Sequence, residues 1–192
     1  MYKICFLFDA KNNWIKDKIK KNFKGNYKYK FFFSENSKKV KNYDIVFIIG
    51  YTKILKNSFL KNNKLNLVIH ESDLPKGKGF APVQWQILDN KNKIPICIIE
   101  AKSKFDSGNI YIKKHFNIKS TDLYAQIRES QGKATIEIIK DFLKYYPKVK
   151  SKPQKGKSTY FKKREKKNSE ISINKSLRSQ FNNLRISNNN SW

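Results

Sequence analysis

Short, nearly continuous apolar runs recur along this chain, and they constrain its fold more than any other feature. Residues 2–8 (YKICFLF), 44–50 (DIVFIIG), 65–70 (LNLVIH) and 94–100 (IPICIIE) are dominated by aliphatic and aromatic side chains. A strand that reads apolar at almost every position is one buried on both faces. Two further strands are predicted at 27–33 and 109–116. Between the strands, Trp14, Ile15, Ile19 and Phe23 keep helical spacing within 13–24. A short helix fits 53–61 and another 81–90. A long helix is predicted from Thr121 to about Tyr146, capped by Ser120 or Thr121 and ended by Pro147. Its buried face would carry Ile127, Ala134, Ile138 and Leu143.

Strands alternating with helices imply an α/β domain. The expected form is a Rossmann-type, mostly parallel sheet with helices on both faces, covering residues 1–147. Such a sheet binds ligands beyond the carboxyl ends of its strands. From 148 the chain turns lysine-rich and poor in aliphatics, so 148–192 reads as a basic C-terminal arm lying on the domain. Helical periodicity returns at 171–186 through Ile173, Leu177, Phe181 and Leu184. The chain shows no internal repeat.

Which ligand such a crevice takes is where composition matters. The formal net charge is +27, but it comes from 38 lysines against four arginines, spread along the chain and accompanied by 21 asparagines. A nucleic-acid surface clusters its charge and favours the arginine fork, so a solvated lysine surface is the reading here and nucleic acid is not expected as a partner. The field would still draw a phosphorylated or polyglutamylated small ligand. Cys5 and Cys97 each lie inside a strand run, the pattern of buried thiols. With no CxxC and no paired histidines, metal is not expected. The first residues, Met1-Tyr2-Lys3-Ile4-Cys5, do not read as a signal peptide and no run reaches transmembrane length, which points to the cytosol. The absence of GxGxxG and GxxxxGK[ST] gives no indication of a dinucleotide or nucleoside triphosphate cofactor.

One stretch departs from the lysine–asparagine–isoleucine background. At residues 70–79, HESDLPKGKG, a strand ends on a histidine and passes into a polar loop with two spaced glycines. Taken alone, His70 reads as a strand-end histidine satisfied by loop backbone, and Asp106 as a turn former ahead of Gly108. Together they carry more. His70, Ser72, Leu74-Pro75, Gly79 and Pro82, followed by Phe105-Asp106-Ser107-Gly108, resemble the folate-dependent formyltransferases, the family of methionyl-tRNA and sugar N-formyltransferases. Asp106 follows His70 by 36 residues, with a helix and a strand between, in the family's order. Tyr160-Phe161-Lys162-Lys163-Arg164 is similar to a Tyr-x-Lys-Arg stretch beyond the family core.

The resemblance implies formyl transfer from 10-formyltetrahydrofolate to a primary amine. It assigns His70 as donor to the developing oxyanion, with Asp106 orienting it and relaying protons. It places the pterin against Tyr51 through Leu55, with Ile54 and Leu55 foremost. Phe80 and Trp85 are expected to wall the formyl region, Trp85 being equally readable as helix core. Gly108 is expected to contact the cofactor and to let the loop after Asp106 turn. The acceptor is expected to be an amino sugar, free or nucleotide-linked. Initiator tRNA is less expected, because only 46 residues follow Tyr146, against a separate C-terminal barrel in the tRNA enzymes. Two alternatives stay open: a catalytically weakened binding protein, and a methionyl-tRNA formyltransferase-like protein. The first is raised by Val68, which stands where the family has asparagine. Asn66, Gln84 and Gln86 are the candidate replacements for that donor. Glu71 and Asp73 read as loop charges able to contact the acceptor, and His115 as a strand or surface residue.

Overall fold

Alternation along the strands decides which side chain meets which layer. The computed structural model describes residues 1–53 and 55–188. Its strands are β1 (Tyr2–Phe8), β2 (Tyr29–Ser34), β3 (Ile45–Ile49), β4 (Leu65–His70), β5 (Lys78–Gly79), β6 (Lys93–Glu100), β7 (Ile110–Asn117) and β8 (Tyr160–Phe161). The helices are α1 (Lys16–Asn22), α2 (Asn57–Lys61), α3 (Pro82–Leu88), α4 (Tyr124–Tyr145) and α5 (Leu177–Arg185). Ile4, Phe6 and Phe8 of β1 share one face with Ile45, Phe47 and Ile49 of β3 and with Leu67 and Ile69 of β4. α1, α3 and α4 cover that face. Cys5, Leu7, Val46 and Ile48 point the other way, toward Phe59 of α2. The two apolar clusters explain why the central runs read apolar throughout.

Six strands form the main sheet, in the order β2-β1-β3-β4-β6-β7. β1 to β4 run parallel to one another, while β6 pairs antiparallel with both β4 and β7. The sheet is thus mostly parallel, with β6 reversed. That reversal matters for the site. Glu100, at the end of β6, lies opposite Leu67, three residues before His70. At about 3.3 Å per residue, the loop after β6 must travel back roughly 10 Å to reach the carboxyl end of β4.

Several boundaries differ from expectation for local reasons. β2 begins at Tyr29 because the Asn26 side chain accepts the amides of Lys28 and Tyr29, holding a turn there. α4 begins at Tyr124, not at Thr121. Asp122 accepts the amide of Lys119 and closes a turn over 119–122, so neither Ser120 nor Thr121 caps the helix. Gln126 reaches back to the amide of Leu123 instead.

The segment after α4 runs back over the domain. Lys152 pairs with Ile110 at the edge of β7, and β8 pairs in parallel with β5. α5 is anchored by Arg185, 1% exposed, which donates to the Lys119 carbonyl and to Asn92 and Asn182.

Candidate active site

His70 occupies the last position of β4 and is buried. Its Nε2 lies 2.9 Å from the carbonyl oxygen of Gly77. A carbonyl only accepts, so the proton of the neutral ring sits on Nε2. Nδ1 then faces Asp106, 3.6 Å from Oδ1. The other carboxylate oxygen of Asp106 accepts the amide of Gly79 at 2.8 Å. The sequence reading brought His70 and Asp106 together, and the structure places them side by side. It changes the available proton, however. The Nε2 proton is already committed to Gly77, so a further donation from His70 must come from Nδ1, on the Asp106 side.

Two close approaches shape the loop that brings Asp106 back. Asp106 itself adopts the left-handed conformation, at φ 48°. Gly108 is needed for a different reason: a Cβ there would stand 1.8 Å from the carbonyl oxygen of Glu100. Gly108 is therefore buried in the frame of the loop and does not line the cavity, unlike the cofactor-contact role expected for it. Gln154, which the sequence did not single out, ties the loop down. Its Nε2 donates to the carbonyls of Asp106 and Gly108, at 2.8 and 2.9 Å.

Residues 71–81 are held from the same side. The amide of Gly77 donates to Thr159 Oγ1, and that of Lys78 to the Thr159 carbonyl. Gly79 is at φ 100°, and a Cβ would meet the Phe161 carbonyl at 2.4 Å. Trp85 neither walls the cavity nor sits in the helix core. Its indole donates to the Lys162 carbonyl, stacks on Phe161 and lies under the Arg164 guanidinium. Arg164, its pKa lowered by burial, donates in turn to the Asn168 carbonyl and Ser169 Oγ. The Tyr160–Arg164 stretch is thus the clamp on the histidine loop.

A cavity of about 510 Å³ opens over the carboxyl ends of β3 and β4. Both His70 and Asp106 line it. Its walls divide by sheet face. On the α2 side are Ile48, Tyr51, Leu55, Leu60, Val68 and Ala101, an apolar half. On the α4 side are Trp14, Ile69, Arg128, Gln131 and Thr135, a more polar half. Leu55 and Phe80 line the cavity, while Ile54 lies outside the described residues. Of the proposed replacements for the family asparagine, Asn66 donates to the Leu60 carbonyl, and Gln86 to the carbonyls of Glu71 and Pro82. Neither lines the cavity; Gln84 does. His115 is exposed on β7. Asp9, at the end of β1, pins the loop after β3. Burial works to raise its carboxyl, but the Thr52 hydroxyl and the amides of Lys11 and Thr52 outweigh that and hold it below its ordinary value.

Sequence reasoning passed over Gln154, Thr159, Trp14 and Arg128. Trp14 was legible only as a helix residue, yet α1 begins at Lys16, which leaves the indole free to line the cavity. Gln154 and Thr159 stand in a lysine-rich segment with no periodicity to mark them.

Comparison with known proteins agrees with this architecture. A methionyl-tRNA formyltransferase from Sulfurihydrogenibium sp. (strain YO3AOP1) is 31% identical over 150 residues, 75% of this chain and 48% of that protein. The chain therefore spans about half the length of the curated relatives it matches. Among solved structures, methionyl-tRNA formyltransferase from Clostridium thermocellum superposes with a TM-score of 0.86 at 21% identity, covering 100% of this chain and 86% of that one. The formyltransferase PseJ from Anoxybacillus kamchatkensis, solved in complex with UDP-4,6-dideoxy-4-formamido-L-AltNAc and tetrahydrofolate, gives a TM-score of 0.58 at 22% identity, covering 82% and 85%. The formyl transferase family model matches residues 9–141, which contain five of the six strands of the main sheet, His70 and Asp106, and the chain belongs to that family.

Proposed function

We propose that this chain transfers a formyl group from 10-formyltetrahydrofolate to a primary amine. The observation that carries the reading is buried His70 beside partly buried Asp106 in the wall of a cavity at the carboxyl ends of a family-type sheet. The apolar half of the cavity suits the folate: Tyr51, Leu55, Leu60 and Val68 offer a flat apolar wall, and Gly50 to Lys53 bring backbone groups to its edge. Bound there, the folate would supply the formyl carbon, and its own nitrogen would take up a proton as the bond to that carbon breaks.

The chain's own part is to manage charge and protons. As the amine nitrogen bonds to the formyl carbon, negative charge grows on the formyl oxygen and the amine carries a surplus proton. The Nδ1 edge of His70 is positioned to take that proton, and Asp106 Oδ1 stabilises the imidazolium that results. With Nδ1 protonated, the ring can donate to the formyl oxygen or return the proton to the departing nitrogen. Gly77 fixes the far side of the ring throughout, and Gly79 and Gln154 fix Asp106.

The acceptor we propose is an amino sugar, free or nucleotide-linked. In support, the PseJ structure matches most of both chains, and the cavity of about 510 Å³ has the size of a small-molecule site. The second reading is initiator tRNA, favoured by the 31% identity to methionyl-tRNA formyltransferases. Among the described residues no helix is long and apolar enough to cross a membrane. A cytoplasmic location fits the two buried, unpaired thiols, of which Cys5 is pushed up to about 12 by burial.

Tetrahydrofolate release, measured with the formyl donor and parallel acceptors, tests the proposal. Transfer to a nucleotide-linked 4-amino sugar is expected. Transfer to methionyl-tRNA alone would replace the acceptor, and folate binding without transfer to any amine would leave a binding protein.

A further inference from the structure

Trp14, Arg128 and Gln131 meet at the α4 end of the cavity, and the chemistry above leaves them without a role. Trp14 rests against α4 where Gly132 leaves room: a Cβ at that glycine would come within 3.5 Å of the indole. One turn earlier on the helix, the guanidinium of Arg128 lies over two rings. It lies 4.6 Å from the Trp14 centroid and 5.0 Å from that of Tyr124. Flanking aromatic faces fix the plane of a guanidinium and leave its edges for hydrogen bonding. Nε donates to the Tyr124 hydroxyl at 3.0 Å, and Nη1 to Gln131 Oε1 at 2.8 Å. These engage two of the five N–H groups that a guanidinium carries.

No carboxylate pairs with Arg128 among the described residues, and Gln131 shows how that is arranged. Its Nε2 donates to Glu71 Oε1 at 2.6 Å, so its amide oxygen must face Arg128. A neutral amide therefore stands between the acid that follows His70 and the guanidinium. The other cavity-lining carboxylates are held elsewhere, Glu100 by Lys102 and Asp106 by the amide of Gly79. Arg128 remains a rigid cation with free donors in a cavity wall, the arrangement that recognises a two-oxygen anion.

We infer that Arg128, framed by Trp14, Tyr124 and Gln131, binds an oxyanion carried by the amine acceptor, a phosphate or a carboxylate. The word acceptor rests on the formyl-transfer reading; the anion site does not. Because it lies in the half opposite the proposed pterin wall, its occupation leaves the folate half free.

Calorimetric titration with inorganic pyrophosphate and, separately, with succinate tests this at fixed ionic strength, since the surface lysines bind anions weakly and in a salt-dependent way. The wild-type chain is expected to show saturable binding of at least one probe, weakened at least about tenfold in Arg128→Gln. Arg128→Lys keeps the charge and loses the fork, so an intermediate loss is expected. Lys133→Gln, an exposed charge control on the same helix, should bind as wild type does. Pyrophosphate binding alone identifies a phosphate, and succinate binding alone a carboxylate. No saturable binding to wild type, or equal affinity in Arg128→Gln, overturns the proposal. If that variant does not fold, the Arg128 Nε–H resonance of the wild-type chain decides, and its failure to shift with either probe overturns it. Titration with 5-formyltetrahydrofolate separates the two readings. Arg128-dependent anion binding without folate binding would sink formyl transfer and leave the anion site standing.

Discussion

β3 and the loop at 71–81 are neighbours in the molecule and are held by opposite means. All five residues of β3 are buried, and apolar layers on both faces grip it. The loop is held by polar contacts from distant positions: His70 before it, Asp106 in another loop, Thr159 and Phe161 in the segment after α4. The difference separates two properties. Stability resides in non-directional apolar burial, which needs many contacts and no single one. Geometry at His70 resides in a few directional bonds, each fixing one angle. Core substitutions should therefore lower stability, and substitutions in the clamp should lower turnover.

The largest effect expected is on the core side. Phe6 is fully buried and packs its ring against those of Phe23, Phe33 and Phe47. Phe6→Ala should cost about 3–5 kcal/mol in denaturant unfolding. A cost below about 1 kcal/mol would mean that the core tolerates collapse and is not the seat of stability.

On the site side, His70→Ala should reduce turnover by at least about a hundredfold while folate binding survives. Asp106→Asn keeps the shape and removes the charge, so turnover should fall similarly with folding intact. Loss of folding in Asp106→Asn would make the residue a turn former and dissolve the comparison, because site and scaffold would then be one thing.

Gln154→Ala sharpens the contrast further. It removes the donor that holds the carbonyls of Asp106, the left-handed residue, and of Gly108 just after it. Misplacement of a catalytic group by a fraction of an ångström supports a fall in kcat of about tenfold, with KM for the folate changed by less than about twofold. The melting temperature should move far less than in Phe6→Ala. A large drop in melting temperature with kcat unchanged would show the clamp to be scaffold.

The same division explains what was legible in the sequence. The strands of the core could be read because burial on both faces leaves a run such as IVFII, and the paired faces follow from alternation. The direction of β6 could not be read, since an apolar run looks alike in either orientation. His70 and Asp106 were legible through their motif, their spacing and the loop chemistry around them. Their supports were not. A clamp made of one amide, one hydroxyl and a few backbone groups has no period, and any lysine-rich stretch can hide it. Trp85 illustrates the limit: its type marked it as a large buried or site-facing ring, and only the fold shows that it grips Phe161 and Lys162.

The smallest effect expected, and the most discriminating, is at Val68, where directional and apolar logic meet in one side chain. Val68 lines the cavity and packs against Ile48 of one cluster and Leu74 and Ile99 of another. An amide there would have to point into the cavity, since its other neighbours are apolar. Asn66 and Gln86 cannot stand in for it without leaving the carbonyls of Leu60 or Glu71 unpaired, each a penalty of about 1–3 kcal/mol. Gln84 has no such commitment and faces the cavity. If Gln84 already donates to the formyl oxygen, Val68→Asn should change turnover by less than about threefold, since a second donor adds little once the first is in place. Gln84→Ala should then cost about tenfold in the wild-type background and much less in the Val68→Asn background, a coupling that a double-mutant cycle reads directly. A gain of about a hundredfold on Val68→Asn alone would show instead that the site runs one donor short. In that case the apolar packing of β4 took precedence over transition-state stabilisation at this position, and the site and the core are not as separable as the rest of the molecule makes them.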